Sequence, residues 1–199
     1  AMEICGLEDG DSRAAYRNVS FDIRSYKRLK MFVHAESSSQ TDMVTKNNDV
    51  TLFVRLGTDF TDNYYEYELP LKMTQWGASA DTDIWPSGNE IDFEFEILKE
   101  LKLRRNIRVA EGVAQVNELY TEPDPNNSER QIKVIGNPNL QGLKIIMVGV
   151  RNPGKNSNHP YKPDDGLSKC LEVWINELRL TDFDQHGGFQ LLAALLLGL

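Results

Sequence analysis

A chain of 199 residues with 40% hydrophobic content fits one sizeable β domain that can bury a core without metals or many crosslinks. Its net charge of −8 and isoelectric point of about 5.0 leave no broad basic surface for phosphates, and Arg104 with Arg105 cannot supply one, which excludes nucleic acid as a partner. The two cysteines, Cys5 and Cys170, form no CxxC and no Cys/His cluster, which excludes a structural zinc site. They close a very long loop if the compartment is oxidising, or stay as two buried thiols in a reducing one. The opening Ala1-Met2 reads as a tag scar on an internal fragment. At the other end FQLLAALLLGL is shorter than the ~20 residues of a membrane helix and lacks the alternation of a lipid-facing strand. Residues 1–188 read as a single domain, with the apolar tail 189–199 beyond it.

In chain order, GDSR from Gly10 reads as a turn, and KRLKMFVHAE (27–36) is the first strong period-two strand. The polar SSSQTDMVTKNND that follows reads as an exposed loop. TLFVRLG and YYEYELPLKM flank TDFTDN as a hairpin, with Pro70 ending the ladder or marking an edge. After the turn signal WPSG comes NEIDFEFEI, an acidic strand, and then LKELKLRRN, the first helical candidate, with Leu98, Leu101 and Leu103 on one side. In RVAEGVAQVNELYTE (108–122), Val109, Val113, Val116 and Leu119 fit a helix better than a strand. EPDPNNSER reads as a loop, and QIKVIGNPNLQGLKIIMVGVRNP as two short strands around Asn137-Pro138-Asn139. NPGKNSNHPYKPDDG is a long surface loop suited to variation or partner contact. KCLEVWINELRL is a last strand that breaks register near Glu177.

Some eight strands, a minor helical segment and long loops predict an all-β, two-sheet antiparallel sandwich of jelly-roll type. First and last strands often lie side by side in such folds, which would bring Cys5 and Cys170 within the ~4.4 to 6.8 Å Cα separation of a disulfide.

The acidic strand carries the one chemical pattern. Glu90, Asp92 and Glu94 project to one side of a strand, and retaining glycosidases hold two carboxyl groups ~5 to 5.5 Å apart. The stretch resembles the EIDxE signature of jelly-roll glucanases, which would make Glu90 nucleophile, Asp92 a tuning acid and Glu94 acid/base. Alternation alone also produces such a row on any sheet with one wet face. Glu96 adds a fourth acid, and Arg55 and Lys72 are the expected cross-strand cations. The row lacks the oxygen-rich loop of a calcium site, so no metal is expected. A carbohydrate-binding module is a third reading, with Trp76, Trp85, Tyr64, Tyr65 and Tyr67 as its platform, although alternating tyrosines are more often core. One or two of the tryptophans Trp76, Trp85 and Trp174 are expected in the core. His34 reads as a satisfied sheet residue, His159 lies in the long loop, and no GxSxG elbow occurs.

Five blocks taken together are more specific than the glucanase signature. DGDSRAAYRNVSFDIRSYKRLKMFVHAE, VTLFVRLGTDFTDNYYEYELPLK, IWPSGNEIDFEFE, IKVIGNPNLQGLKIIMVGVRNP and LEVWINELRLTDFD resemble, in order, the SprA/Sov family of outer-membrane translocon proteins of the type 9 secretion system. The resemblance implies a non-catalytic soluble domain set between barrel strands, at the cell envelope, with no cofactor and with the barrel, its associated subunits or exported cargo as partners. It further implies a role in protein export and gliding motility, and a disulfide between Cys5 and Cys170. In that reading Glu90, Asp92, Glu94 and Glu96 form a charged face toward water or a partner. Beyond Gly187-Gly188 the family continues with Trp-Ala-Ala, whereas Phe189 and QLLAALLLGL follow here.

Overall fold

Residues 1–39, 44–155 and 165–183 are described in the computed structural model. Among them ten strands form: β1 (Met2–Leu7), β2 (Ser12–Phe21), β3 (Tyr26–Ser37), β4 (Thr51–Gly57), β5 (Tyr64–Pro70), β6 (Ile91–Glu94), β7 (Tyr120–Asp124), β8 (Asn127–Ile135), β9 (Leu143–Arg151) and β10 (Lys169–Phe183). Helices α1 (Asp81–Ile84) and α2 (Phe95–Ala110) and two 3-10 turns, Ser87–Asn89 and Leu140–Gly142, complete the set. His159, His186 and the apolar tail 189–199 lie outside the described residues.

The strands make two antiparallel sheets, one of four in the order β1-β10-β3-β6 and one of six in the order β2-β9-β4-β5-β8-β7. This is the expected all-β sandwich, and first and last strands do lie side by side, Met2 opposite Val173. Alternation explains the layering: Leu29, Met31, Val33 and Ala35 of β3 and Leu171 and Val173 of β10 point inward from the smaller sheet. Leu52, Val54 and Leu56 of β4, Tyr65, Tyr67 and Leu69 of β5, and Val148 and Val150 of β9 meet them from the larger, in one buried cluster. Tyr67 ties the layers, its ring stacked on Phe93 of β6 at 4.4 Å and its hydroxyl donating to Asp124 at 2.6 Å.

Four strands cannot cover six, and α2 fills the difference. It packs on β8 and β7 as well as β3 and β6, burying Phe95, Ile97, Leu98, Leu101 and Arg105. Its start corrects the acidic-strand reading, because β6 stops at Glu94 and Phe95 already opens the helix. Phe95, Leu98 and Leu101 form an i, i+3 stripe within a run of good helix formers, and Glu96 favours the positive end of the helix dipole. Leu103 lies off that stripe and is exposed.

The helix also ends earlier than Val109, Val113, Val116 and Leu119 suggested. Gly112 sits at φ +74°, its N–H bonded to Val109 O at 3.0 Å, while Val113 N–H reaches Arg108 O at 2.9 Å. That paired reversal is a Schellman cap, and glycine supplies the left-handed residue it requires. Residues beyond it are held by the buried Arg105, whose guanidinium donates to Val116 O at 3.0 Å and Gly136 O at 2.7 Å.

EPDPNNSER is not a loop but the hairpin of β7 and β8, turning through Pro125 and Asn126. Pro123 is tolerated because β7 is an edge strand, and Asp124 fixes the turn by accepting Asn126 N–H at 2.8 Å. The β4–β5 hairpin forms as expected, with Pro70 closing its ladder opposite Thr51. Asp59 organises its loop, accepting the N–H groups of Thr61, Asp62 and Asn63 and the Asn63 amide. Strand β2 went unread in the sequence because its run SRAAYRNVSF mixes apolar and polar residues with no period of two. Glu177, at φ +54°, sits where β10 slips against β3 between Asn176 and Arg179, at the expected register break.

Candidate functional site

The outer face of the four-stranded sheet receives the acids that the sequence singled out, but not as a row of four. Glu90 follows a 3-10 turn, Asp92 and Glu94 lie on β6, and Glu96 is in the first turn of α2. Their cations are Arg28 and Lys30 of β3, directly opposite Glu94 and Asp92, rather than Arg55 and Lys72. Arg28 donates to Asp92 through Nε at 2.9 Å and Nη2 at 2.7 Å, and to Glu94 through Nη1 at 2.6 Å. Lys30 Nζ lies 3.1 Å from Asp92, and Glu96 pairs with Lys99 at 2.7 Å. Partial burial raises the Asp92 carboxyl, and the bonds from Arg28 and Lys30 more than offset it, so its pKa lies below the usual 3.8. A glycosidase needs one acid kept protonated beside an ionised partner, and a guanidinium bridging Asp92 to Glu94 works against that division of labour. Among the described residues no group of three or more His, Cys, Asp or Glu is arranged to hold a metal ion.

Further along the same face stand the aromatics. His34 is opposite Trp174 on β10, and its ring is flanked by Trp174 at 5.7 Å and Trp85 at 5.9 Å, both edge-on. The segment after β5 straps across here: Thr74 bridges to Glu36, and His34 Nδ1 donates to Ile84 O at 2.7 Å. His34 is thus the satisfied sheet residue expected. The tryptophans are not core residues. Trp76 is 79% and Trp174 47% exposed, and Trp85 is half-buried. Trp85 and Trp174, with Ala1, Ile175 and Asn176, line an open depression of about 340 Å³. Tyr64, Tyr65 and Tyr67, the other proposed platform residues, are buried.

The opposite outer face, on the six-stranded sheet, holds a cluster that sequence reasoning missed. Register places Lys133, Glu66 and Arg55 side by side on β8, β5 and β4, with Glu68 two residues along β5 and Arg151 reaching in from β9. Arg55 Nη2 lies 2.7 Å from Glu66, and Lys133 Nζ 3.1 Å from it. Arg151 Nη1 contacts Glu66 at 3.0 Å and Glu68 at 2.5 Å. Glu68 also accepts from Lys133 and from Thr51 Oγ1. Aromatic rings roof the cluster, Tyr64 3.8 Å from the Arg55 guanidinium and Phe53 4.6 Å from that of Arg151. Gly149 makes room for the Phe53 ring, which a side chain there would strike. Glu66 and Glu68 are consequently buried on what alternation reads as the wet face of YYEYELP. Burial lowers the pKa of Arg151, and Glu66 and Glu68 raise it more, leaving it above its ordinary value. Such a closed set of partners suits a rigid plate, not a reacting centre.

Cys5 of β1 and Cys170 of β10 are joined by a disulfide across the edge of the smaller sheet. The sandwich, its order of strands and the five sequence blocks along it belong to a chain whose full length, residues 1–199, matches one family model. The chain belongs to the SprA_N family of motility-related/secretion proteins. No curated protein matches it. SprA_N membership makes this a motility- and secretion-related chain. Among the described residues of this SprA_N chain no helix is long and apolar enough to cross a membrane.

Proposed function

We propose that this chain is a non-catalytic β-sandwich domain of the outer-membrane translocon of the type 9 secretion system, serving protein export and gliding motility from the cell envelope. The observation that carries the reading is the SprA_N match along residues 1–199. Its partners are then the rest of the translocon barrel, associated subunits or exported cargo. Two features support a scaffold over an enzyme. Asp92 and Glu94 are engaged by one guanidinium, and Glu66 and Glu68 are saturated by Arg55, Lys133 and Arg151. The Cys5–Cys170 bridge also suits an oxidising envelope compartment.

The test is an in-frame deletion of residues 1–183 from the full-length protein, followed by quantification of secreted cargo bearing C-terminal export signals and of colony spreading. Loss or impairment of both is expected while the barrel is still inserted. Undiminished secretion would remove the assigned role. A hydrolytic role is tested separately, because Glu90→Gln leaves export unchanged in the scaffold reading, and turnover of mixed-linkage or β-1,3-glucan that this substitution abolishes would replace it.

A further inference from the structure

The outer face of the four-stranded sheet is divided in its treatment of charge. Toward β6 the acids of the strand meet cations: Arg28 and Lys30 serve Asp92 and Glu94. Toward β1 the register places Glu3 opposite Glu172 and Glu172 opposite Glu36, three glutamates abreast on β1, β10 and β3. Neighbouring strands are about 5 Å apart, so the three carboxylates crowd within about 10 Å. Directly opposed like charges destabilise a sheet, yet among the described residues no lysine or arginine forms an ion pair with any of the three. Glu36 has only His34 Nε2 at 3.7 Å, and Glu172 only the indole N–H of Trp174 at 2.6 Å.

Along the same face come the aromatics: exposed Trp174 on β10 one step from Glu172, about 7 Å away, exposed Phe32 on β3 opposite Asn176 two steps along, and half-buried Trp85 across His34. Large exposed aromatic groups beside a depression mark contact surfaces. A cation is what both halves of this surface lack, since carboxylates pair with it and indole faces attract it.

We propose that this face is a docking surface for a lysine- or arginine-bearing segment of a protein partner. The cation enters the row of Glu3, Glu172 and Glu36, and the segment's apolar part covers Trp174, Trp85 and Phe32. An anionic lipid surface is disfavoured by the same three carboxylates. A neutral glycan would use the indoles but leave the opposed glutamates uncompensated. Docking here and translocon function fail separately, because binding is read on the isolated chain and export in cells.

The experiment titrates the chain of 199 residues with a capped decapeptide carrying four lysines among glycine and serine, following tryptophan emission and heat. The expected result is saturable binding that weakens with salt, and no response to the glutamine counterpart of the peptide. The triple substitution Glu3→Gln, Glu36→Gln and Glu172→Gln lowers affinity about tenfold or more, and Trp174→Leu lowers it about fivefold. A matched control, Glu111→Gln, Glu118→Gln and Glu129→Gln, changes net charge equally at exposed sites elsewhere and leaves affinity unchanged. The glutamate triple also melts no lower than the parent chain, because relief of repulsion, not loss of structure, is what it produces. Absence of saturable binding overturns the proposal, as does equal weakening by the control, which would mean net-charge attraction alone. A lower melting temperature in the glutamate triple, or a response to laminarin in place of the peptide, overturns it too.

Discussion

Replacing Glu68 with glutamine tests whether the plate on the six-stranded sheet is as dry as its geometry implies. Glu68 is fully buried and takes contacts from Arg151, Lys133 and Thr51. Glu66 and Glu68 already face three cations, Arg55, Lys133 and Arg151. The substitution leaves Glu66 alone against all three, and breaking one partner out of a buried charge network costs about 3 to 5 kcal/mol. For a chain of this length each kcal/mol shifts the melting temperature by about 2 to 4 °C, so a fall of roughly 6 to 20 °C is expected by calorimetry. Adding Lys133→Met removes the excess cation, and the double variant recovers part of the loss, with a coupling on the order of 1 to 3 kcal/mol. The sign with pH follows from Glu66. Burial raises its carboxyl, while Arg151 and Lys133 pull it down further, so its folded pKa lies below 4.5. Its contribution is complete above 4.5 and is lost as pH falls through the depressed value, and acid unfolding therefore begins below about pH 4.5. A cost under about 1 kcal/mol for Glu68→Gln, the range of exposed ion pairs, would refute a desolvated network.

The paired change Cys5→Ser and Cys170→Ser opens a loop of 165 residues. On the chain-entropy account it destabilises by about 4 to 5 kcal/mol, read by urea unfolding with and without reductant. Arg105→Leu strands the carbonyls of Val116 and Gly136 at about 1 to 3 kcal/mol, with faster amide exchange over residues 111–119 as the local signature. Asp59→Ala releases the N–H groups of Thr61, Asp62 and Asn63. The Asp59 carboxyl sits at about 2, burial raising it and the Asn63 side chain with the backbone bonds lowering it further. Hairpin protection in the parent chain thus persists above 3.8, decays as pH falls toward 2, and is already reduced at neutral pH in the variant, as amide exchange will show. Arg28→Gln returns the Asp92 carboxyl part of the way toward 3.8, measurable by carboxyl NMR titration, because the guanidinium bond is the largest of the interactions from Arg28 and Lys30 that hold it down.

Much of the sandwich could be read in advance, and the exceptions share a physical cause. The β4–β5 hairpin was legible because TLFVRLG and YYEYELP both alternate and TDFTDN supplies its own acceptor at Asp59. The acidic stretch misled because Phe95 and Ile97 satisfy period two while Phe95, Leu98 and Leu101 satisfy a helix, and tertiary cover for β8 decides between them. Prolines hid β7, whose edge position excuses Pro123. Arg28 and Lys30 were overlooked as partners because pairing depends on which strand is the neighbour, and they lie more than sixty residues before Asp92 and Glu94 in sequence. The plate of Glu66 and Glu68 was hidden for the same reason, since its cations come from β4, β8 and β9. His34 was placed correctly, its context inside FVHAE being enough to assign it to the sheet. The aromatic surface was hidden because Trp85 sits in the turn DIWPSG, outside any strand whose alternation would give its direction, and meets His34 and Trp174 only in the fold.

The place of β10 between β1 and β3 also sets an order of events. It is the last described strand in the chain and lies next to the first, so the smaller sheet gathers its members from both extremes of the sequence. A polypeptide delivered N-terminus first can form the β4–β5 hairpin and α2 early, since their contacts are local. Its first strand, however, has no hydrogen-bonding neighbour among the described strands until residue 169 and beyond arrive, and β3 meanwhile offers an unpaired edge. Assembly of the smaller sheet is thus gated by β10, and a chain arrested before that strand presents two open strand edges to whatever chaperone or protease meets it.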